Sequence, residues 1–125
     1  MPDLKLKQLQ YESDTWKRLL GFLMDENIHL KNRLSDVLNE EFDKDLLLEI
    51  EDFQMNFIKE DQLIGLLRND VAGIDKLFEK EIFEDGKTLN EIDRKLKNLR
   101  NNIEYAEKEF RRLKLEFNNY LSENI

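Results

Sequence analysis

The fold is decided by residues 89–120, which read LNEIDRKLKNLRNNIEYAEKEFRRLKLEFNNY. Their apolar residues recur in alternating steps of three and four, which is the a/d seam of a left-handed coiled coil. The seam consists of Leu89, Ile92, Leu96, Leu99, Ile103, Ala106, Phe110, Leu113, Phe117 and Tyr120. This spacing predicts one long helix, which we place at about residues 88–121.

The start of this helix is marked by local signals. Thr88 precedes the first seam residue and Glu91 follows three positions later, so the two can form a capping box. The pair Asp85-Gly86 directly before them is typical of a turn. We therefore expect a tight connection into the last helix.

Two earlier stretches have the same spacing. They predict helices at about residues 12–39 and 43–84, and residues 1–11 either fray or extend the first helix. The first seam contains Trp16, Leu20, Leu23, Asn27, Leu30, Leu34 and Val37. The second contains Leu46, Ile50, Phe53, Phe57, Glu60, Ile64, Leu67, Val71, Ile74 and Phe78. Whether the middle helix continues through Gly65 and Gly73 stays open.

Two short connections between three helices favour antiparallel neighbours. We therefore predict an all-α, antiparallel, coiled-coil-like three-helix bundle, with residues 1–125 as a single domain. A first turn centred near residues 40–41 places Trp16 opposite Gly65, and a second near residue 86 places Glu60 opposite Arg111 and Arg112. Asn27 and Glu60 are polar residues in apolar seams, a device that can set register or oligomeric state at a cost in stability.

Composition limits the function. The net charge is −8 and the pI about 4.8, which argues against nucleic-acid binding because a phosphate backbone needs a basic surface. Residues 43–86 alone carry five basic and thirteen acidic residues. The chain has no cysteine and no apolar run near the ~20 residues that span a bilayer. We expect a cytoplasmic protein without a membrane partner.

The sequence offers no catalytic constellation. It lacks a cysteine nucleophile, a G-x-S-x-G elbow and a glycine-rich phosphate loop. We therefore expect no enzyme and no cofactor. His29 is the only histidine and forms Glu26-x-x-His29, the spacing that di-iron bundles use. The alternative function is a dimeric metal-binding bundle that uses Glu26, His29 and Glu60.

Residues 19–24, with the sequence LLGFLM, are apolar nearly all round the helix. One interpretation is deep burial; the other is an interface, because monomers rarely expose large apolar patches. The candidate interface comprises Leu19, Phe22, Leu23, Met24, Leu63 and Leu66. The leading hypothesis is a non-catalytic protein–protein interaction or scaffold module that forms a homodimer, binds another protein, or does both.

Overall fold

The computed structural model describes residues 2–40, 44–84, 86 and 88–124. Three long helices make up nearly all of this part: α1 is Pro2–Glu40, α2 is Leu47–Glu84 and α3 is Leu89–Asn124. A 3-10 turn, Lys44–Leu46, precedes α2. The described residues contain no β-strand, and each helix packs against the other two. The predicted all-α three-helix bundle is confirmed.

The helix bounds differ from the predicted ones mainly at the first two starts. Helix α1 begins at Pro2, so the N-terminal segment extends the helix, and Leu9 and Ser13 continue its buried seam. Helix α2 begins at Leu47 and runs unbroken through both of its glycines. The predicted start at residue 43, most of the first turn and Asp85 lie outside the described residues.

The core is formed by the predicted seams. All seven predicted positions of α1 are buried, and so are all those of α3 except Leu89, which is partly buried. In the second predicted seam the exceptions are Phe53 of α2 and Leu46 of the preceding 3-10 turn, which pack against the core from its edge. Asn27, Glu60, Glu81 and Thr88 are buried polar residues within this interior. The spacing of apolar residues thus identified the inward stripe of each helix.

The connection from α2 to α3 is organised by Glu81. Gly86 adopts a φ of 93°, a left-handed conformation that glycine enters without steric cost. The Glu81 carboxylate accepts the N–H of Gly86 and both the N–H (2.8 Å) and hydroxyl of Thr88. The predicted reciprocal bond from Thr88 to Glu91 is therefore wrong, because Glu81 already takes the Thr88 N–H. Glu91 lies 3.5 Å from Lys95 instead.

The predicted register of α2 and α3 is confirmed at Glu60. Ring centroids of Phe57 and Phe117 lie 5.1 Å apart in an edge-to-face contact. One turn along α2, Glu60 lines the same groove as Arg112. Arg111, the other predicted neighbour, donates to Glu107 on its own helix.

The predicted register of α1 and α2 is wrong. A Cβ added at Gly65 would meet nothing within 4 Å, so the Trp16 indole does not occupy the space beside Gly65. Lys17, next to Trp16, instead lies 2.5 Å from Asp75. Relative to the predicted register, α1 is shifted along α2 by roughly one heptad. A shift of seven residues returns every seam residue to an inward position. Heptad spacing alone therefore could not exclude it.

Helices α1 and α3 run parallel, and ion pairs of constant offset link them. The pairs are Lys5–Asp93 at 3.5 Å, Glu12–Arg100 at 2.6 Å and Glu26–Lys114 at 3.2 Å. Further basic residues of α3 bind carboxylates of their own helix, as Arg112 does with Glu109 and Glu116. Much of the basic charge of α3 is therefore paired within the bundle.

Candidate interaction surface

The six predicted interface residues do not form one patch. Leu23 is only 2% exposed and belongs to the core, whereas Phe22 is 57% exposed. Met24 lies in the α1–α2 groove, where its Sδ accepts from Arg68 at 2.8 Å. Leu63 lines the α2–α3 groove. The predicted surface is therefore divided between different sides of the bundle.

Helix α3 separates the two halves of the predicted patch. Leu19 lies seven residues from both Glu12 and Glu26, which bind α3, so Leu19 is on the α3-facing side of α1. Leu63 lies on the α3-facing side of α2, and Leu66, three residues later, is exposed beside it. Leu19 and Leu63 therefore lie on opposite sides of α3.

The outer side of α2 carries a different apolar surface. Leu48, Met55, Ile58 and Leu66 are all exposed, and Met55 and Leu66 are each about 60% exposed. We call the exposed residues of α2 between positions 54 and 73 the α2 outer face. Only three of its twelve residues are charged, namely Lys59, Arg68 and Asp70. Seven of the eleven exposed residues between positions 94 and 112 of α3 are charged.

Two glycines lie within this part of α2. A glycine in a helix interior costs about 1 kcal/mol relative to alanine. A Cβ added at Gly65 or Gly73 would meet nothing within 4 Å, so packing within the chain does not require glycine at either position. Small residues on an exposed helix allow close approach of another backbone. The α2 outer face is thus apolar, weakly charged and accessible to a second helix.

A second candidate site lies in the groove between α2 and α3. Glu60 lines a recess of about 180 Å³ together with Asn56, Lys59, Leu63, Tyr105, Glu109, Arg112 and Leu113. Glu60 is only 8% exposed, and its Oε2 has no hydrogen-bond partner among the described residues. A buried carboxylate oxygen without a donor is costly. This recess therefore combines buried charge with unused hydrogen-bonding capacity.

The surroundings of Glu60 disfavour its ionised form. Burial raises the pKa of Glu60 to about 7, and the neighbouring carboxylates of Glu109 and Asp61 act in the same direction. The guanidinium of Arg112 opposes the rise. Arg112 does not neutralise Glu60 because it already binds Glu109 and Glu116 at 2.9 and 2.7 Å.

The candidate metal ligands do not converge within one chain. Glu26 lies 3.2 Å from Lys114 in the α1–α3 groove, and Glu60 lies in the α2–α3 groove. His29 is exposed. In the described part of the chain, no three His, Cys, Asp or Glu side chains are grouped so as to hold a metal ion. The alternative function would require a second copy to supply the missing ligands.

Comparison with known protein families, curated proteins and solved structures finds no match for this chain. Over the residues that the structure describes, none of the helices has the length and apolarity needed to cross a membrane.

Sequence reasoning missed Leu48, Met55, Tyr105 and Glu81. The first three are apolar residues that lie outside the a/d seams and are exposed. For Leu48 and Met55 the signal was available, since α2 carries apolar residues on almost every side. Glu81 continues the α2 seam three residues after Phe78, so extending the pattern by one step would have found it.

Proposed function

We propose that this protein is a non-catalytic helical interaction module that self-associates through the α2 outer face. The observation that carries the proposal is the exposed apolar surface around Met55, Ile58 and Leu66, in a chain whose α3 has a densely charged exposed face. Exposed apolar patches with little charge are typical of protein–protein contacts. The proposal also includes binding of another protein, as scaffold modules do.

A second copy fits this face by shape and charge. In an antiparallel pair of α2 helices that cross near Gln62, Ile58 of one copy lies opposite Leu66 of the other. Gly65 and Gly73 allow the two backbones to approach closely. The three charges of the α2 outer face leave little repulsion between the two copies.

Sedimentation equilibrium tests this interface with three variants. Leu66→Glu places a charge at its centre, and we expect it to yield monomers at concentrations where the parent is dimeric. Gly73→Ala adds a methyl group where two backbones would meet, so it should weaken the dimer. Gly21→Ala is the matched control, because a Cβ there also meets nothing and the residue lies on α1.

The two glycine variants separate folding from association. Each should raise the stability of the monomer by about 1 kcal/mol, since alanine favours helix. Only Gly73→Ala should also reduce self-association. A monomeric parent protein would overturn the proposal. So would dissociation by Phe22→Glu with no effect of Leu66→Glu, since that result would place the interface on α1.

A further inference from the structure

We propose that the α2–α3 groove binds a basic amphipathic helix of another protein, with one lysine or arginine side chain of that helix placed against Glu60. This inference rests on the proposed role as an interaction module. It uses the groove between α2 and α3, which adjoins the α2 outer face and shares Asn56, Lys59 and Leu66 with it.

The first argument is the unused carboxylate oxygen. Glu60 is nine-tenths buried and lines the recess, and its Oε2 accepts no hydrogen bond from any described residue. Asp61, the next residue, faces the other way and is held by Asn27 and Lys31 of α1. A cationic donor from outside would supply both the charge and the hydrogen bond that the bundle does not provide.

The second argument is the charge along the groove. Next to the Glu60 recess lies a second one of about 450 Å³, and Asn56 lines both. The second recess is lined by Glu49, Asp52, Phe53, Asn56, Glu116, Asn119, Tyr120 and Glu123. Together the two contain six carboxyl groups and two cations, Lys59 and Arg112. Such a groove favours a basic partner and repels an acidic one.

The third argument is the apolar rim. Leu63 is partly buried in the groove, and Tyr105 lies across from it on α3, largely exposed. Leu66 extends this rim by one turn. From Glu49 to Leu63 the groove is about 21 Å long at 1.5 Å per residue, which matches a helix of about four turns. Helix-in-groove binding uses this combination of apolar anchors and flanking charge.

Binding of a cation at Glu60 requires the ionised carboxylate. Since the pKa of Glu60 is about 7, the binding-competent fraction is small at pH 6 and nearly complete at pH 8. Apparent affinity scales with that fraction, so we expect about tenfold tighter binding at pH 8 than at pH 6. The charged groups that line the recess with Glu60 are Lys59 on α2 and Glu109 and Arg112 on α3, and Asp61 acts on it from the α1 side of α2.

Isothermal titration calorimetry with a designed probe tests the site. The probe is a 14-residue leucine–lysine peptide with helical spacing, and its control has glutamate in place of every lysine. We expect only the lysine peptide to bind. Its affinity at pH 8 should be about ten times its affinity at pH 6, and we call this quotient the pH ratio. Glu60→Gln should weaken binding at pH 8 about tenfold and bring the pH ratio close to one. Glu104→Gln removes an exposed carboxylate of α3 and should preserve both values.

Three results would overturn the site: no binding of the lysine peptide, an unchanged pH ratio in Glu60→Gln, or equal binding of butylamine and peptide. Equal binding of butylamine would indicate that the site binds a small cation and does not recognise a helix. Sedimentation of the same samples separates the two proposals. A lost pH ratio in Glu60→Gln with unchanged self-association supports this site, whereas loss of self-association in Glu60→Gln would identify a second copy as the occupant.

Discussion

Asn27 and Glu60 are both polar residues in apolar seams, yet their surroundings differ. The Asn27 amide donates to the Phe57 carbonyl at 3.0 Å and to Asp61 at 2.6 Å, so it joins α1 to α2. Glu60 lies on the next turn of α2 and has no comparable donor for its Oε2 among the described residues. Among the described residues, Oδ1 of Asn27 and Oε2 of Glu60 are both buried without a donor, but only Asn27 makes hydrogen bonds to the facing helix through its other polar atom.

This difference separates two uses of a polar residue in a coiled coil. A paired polar residue favours one register, because a shifted register would leave its amide buried without partners. An unpaired carboxylate lowers stability without such a gain. We therefore expect substitutions at the two positions to change stability in opposite directions.

The largest effect is expected at Asn27. Asn27→Ala removes two inter-helix hydrogen bonds and leaves space in the core, so the free energy of unfolding should fall by about 2–3 kcal/mol. Urea unfolding followed by circular dichroism measures the change. Asn32→Ala, at an exposed position of α1, is the control and should change stability by less than about 0.5 kcal/mol. Equal effects of the two variants would refute a pairing role for Asn27.

Glu60→Leu should have the opposite sign. Replacing a buried, uncompensated charge by a well-packed apolar side chain commonly stabilises a protein, here by about 2 kcal/mol at pH 8. Glu51→Leu changes an exposed residue of the same helix and should have little effect. A loss of stability in Glu60→Leu would show that the carboxylate is compensated after all.

The pH dependence of stability gives a third test. The folded-state pKa of Glu60 is raised above the ordinary value, so the folded protein binds the extra proton more tightly than the unfolded chain. The contribution of this proton to the free energy of unfolding is therefore fully present near pH 4.5, and it is lost as the pH rises through 7. From pH 5 to 8 the unfolding free energy should fall by about 2 kcal/mol. In Glu60→Gln this decline should disappear.

A smaller effect with the opposite pH dependence is expected at Glu81. The hydroxyl and N–H of Thr88 and the N–H of Gly86 bind its carboxylate and lower its pKa. The contribution of the Glu81 carboxylate to stability is therefore present above the pKa that Glu81 has in the unfolded chain, and it is lost as the pH falls. Glu81→Gln should lower the melting temperature at pH 7, and the difference should shrink in acid. Glu79→Gln, which is exposed, serves as the control; identical melting curves for both would contradict the turn role of Glu81.

The sequence predicted the seams because burial of apolar area depends only on periodicity. The α2–α3 register followed as well, since Gly86 marks the turn clearly. The α1–α2 register did not follow, because the NEEFDKD segment lacks a strong breaker and heptads permit shifts of seven residues. A turn position wrong by a few residues therefore moved Trp16 away from its predicted neighbour.

The candidate site was harder to predict than the core. Periodicity shows which stripe of each helix faces inward, but not on which side the third helix stands. That handedness decides whether Leu63 faces α1 or α3, and it faces α3. The bond from Glu81 to Thr88 joins the ends of two helices, so a search for capping pairs within a single helix did not find it.

The most direct test of the contrast between Asn27 and Glu60 is the titration of Glu60 itself. Its side-chain carboxyl ¹³C shift can be followed by NMR from pH 3 to 9, with assignment from Glu60→Gln. An unpaired, buried carboxyl group predicts a midpoint near 7. A midpoint near 4.5 would mean that water or a donor already reaches the oxygen, and it would contradict both the stability predictions and the proposed cation site.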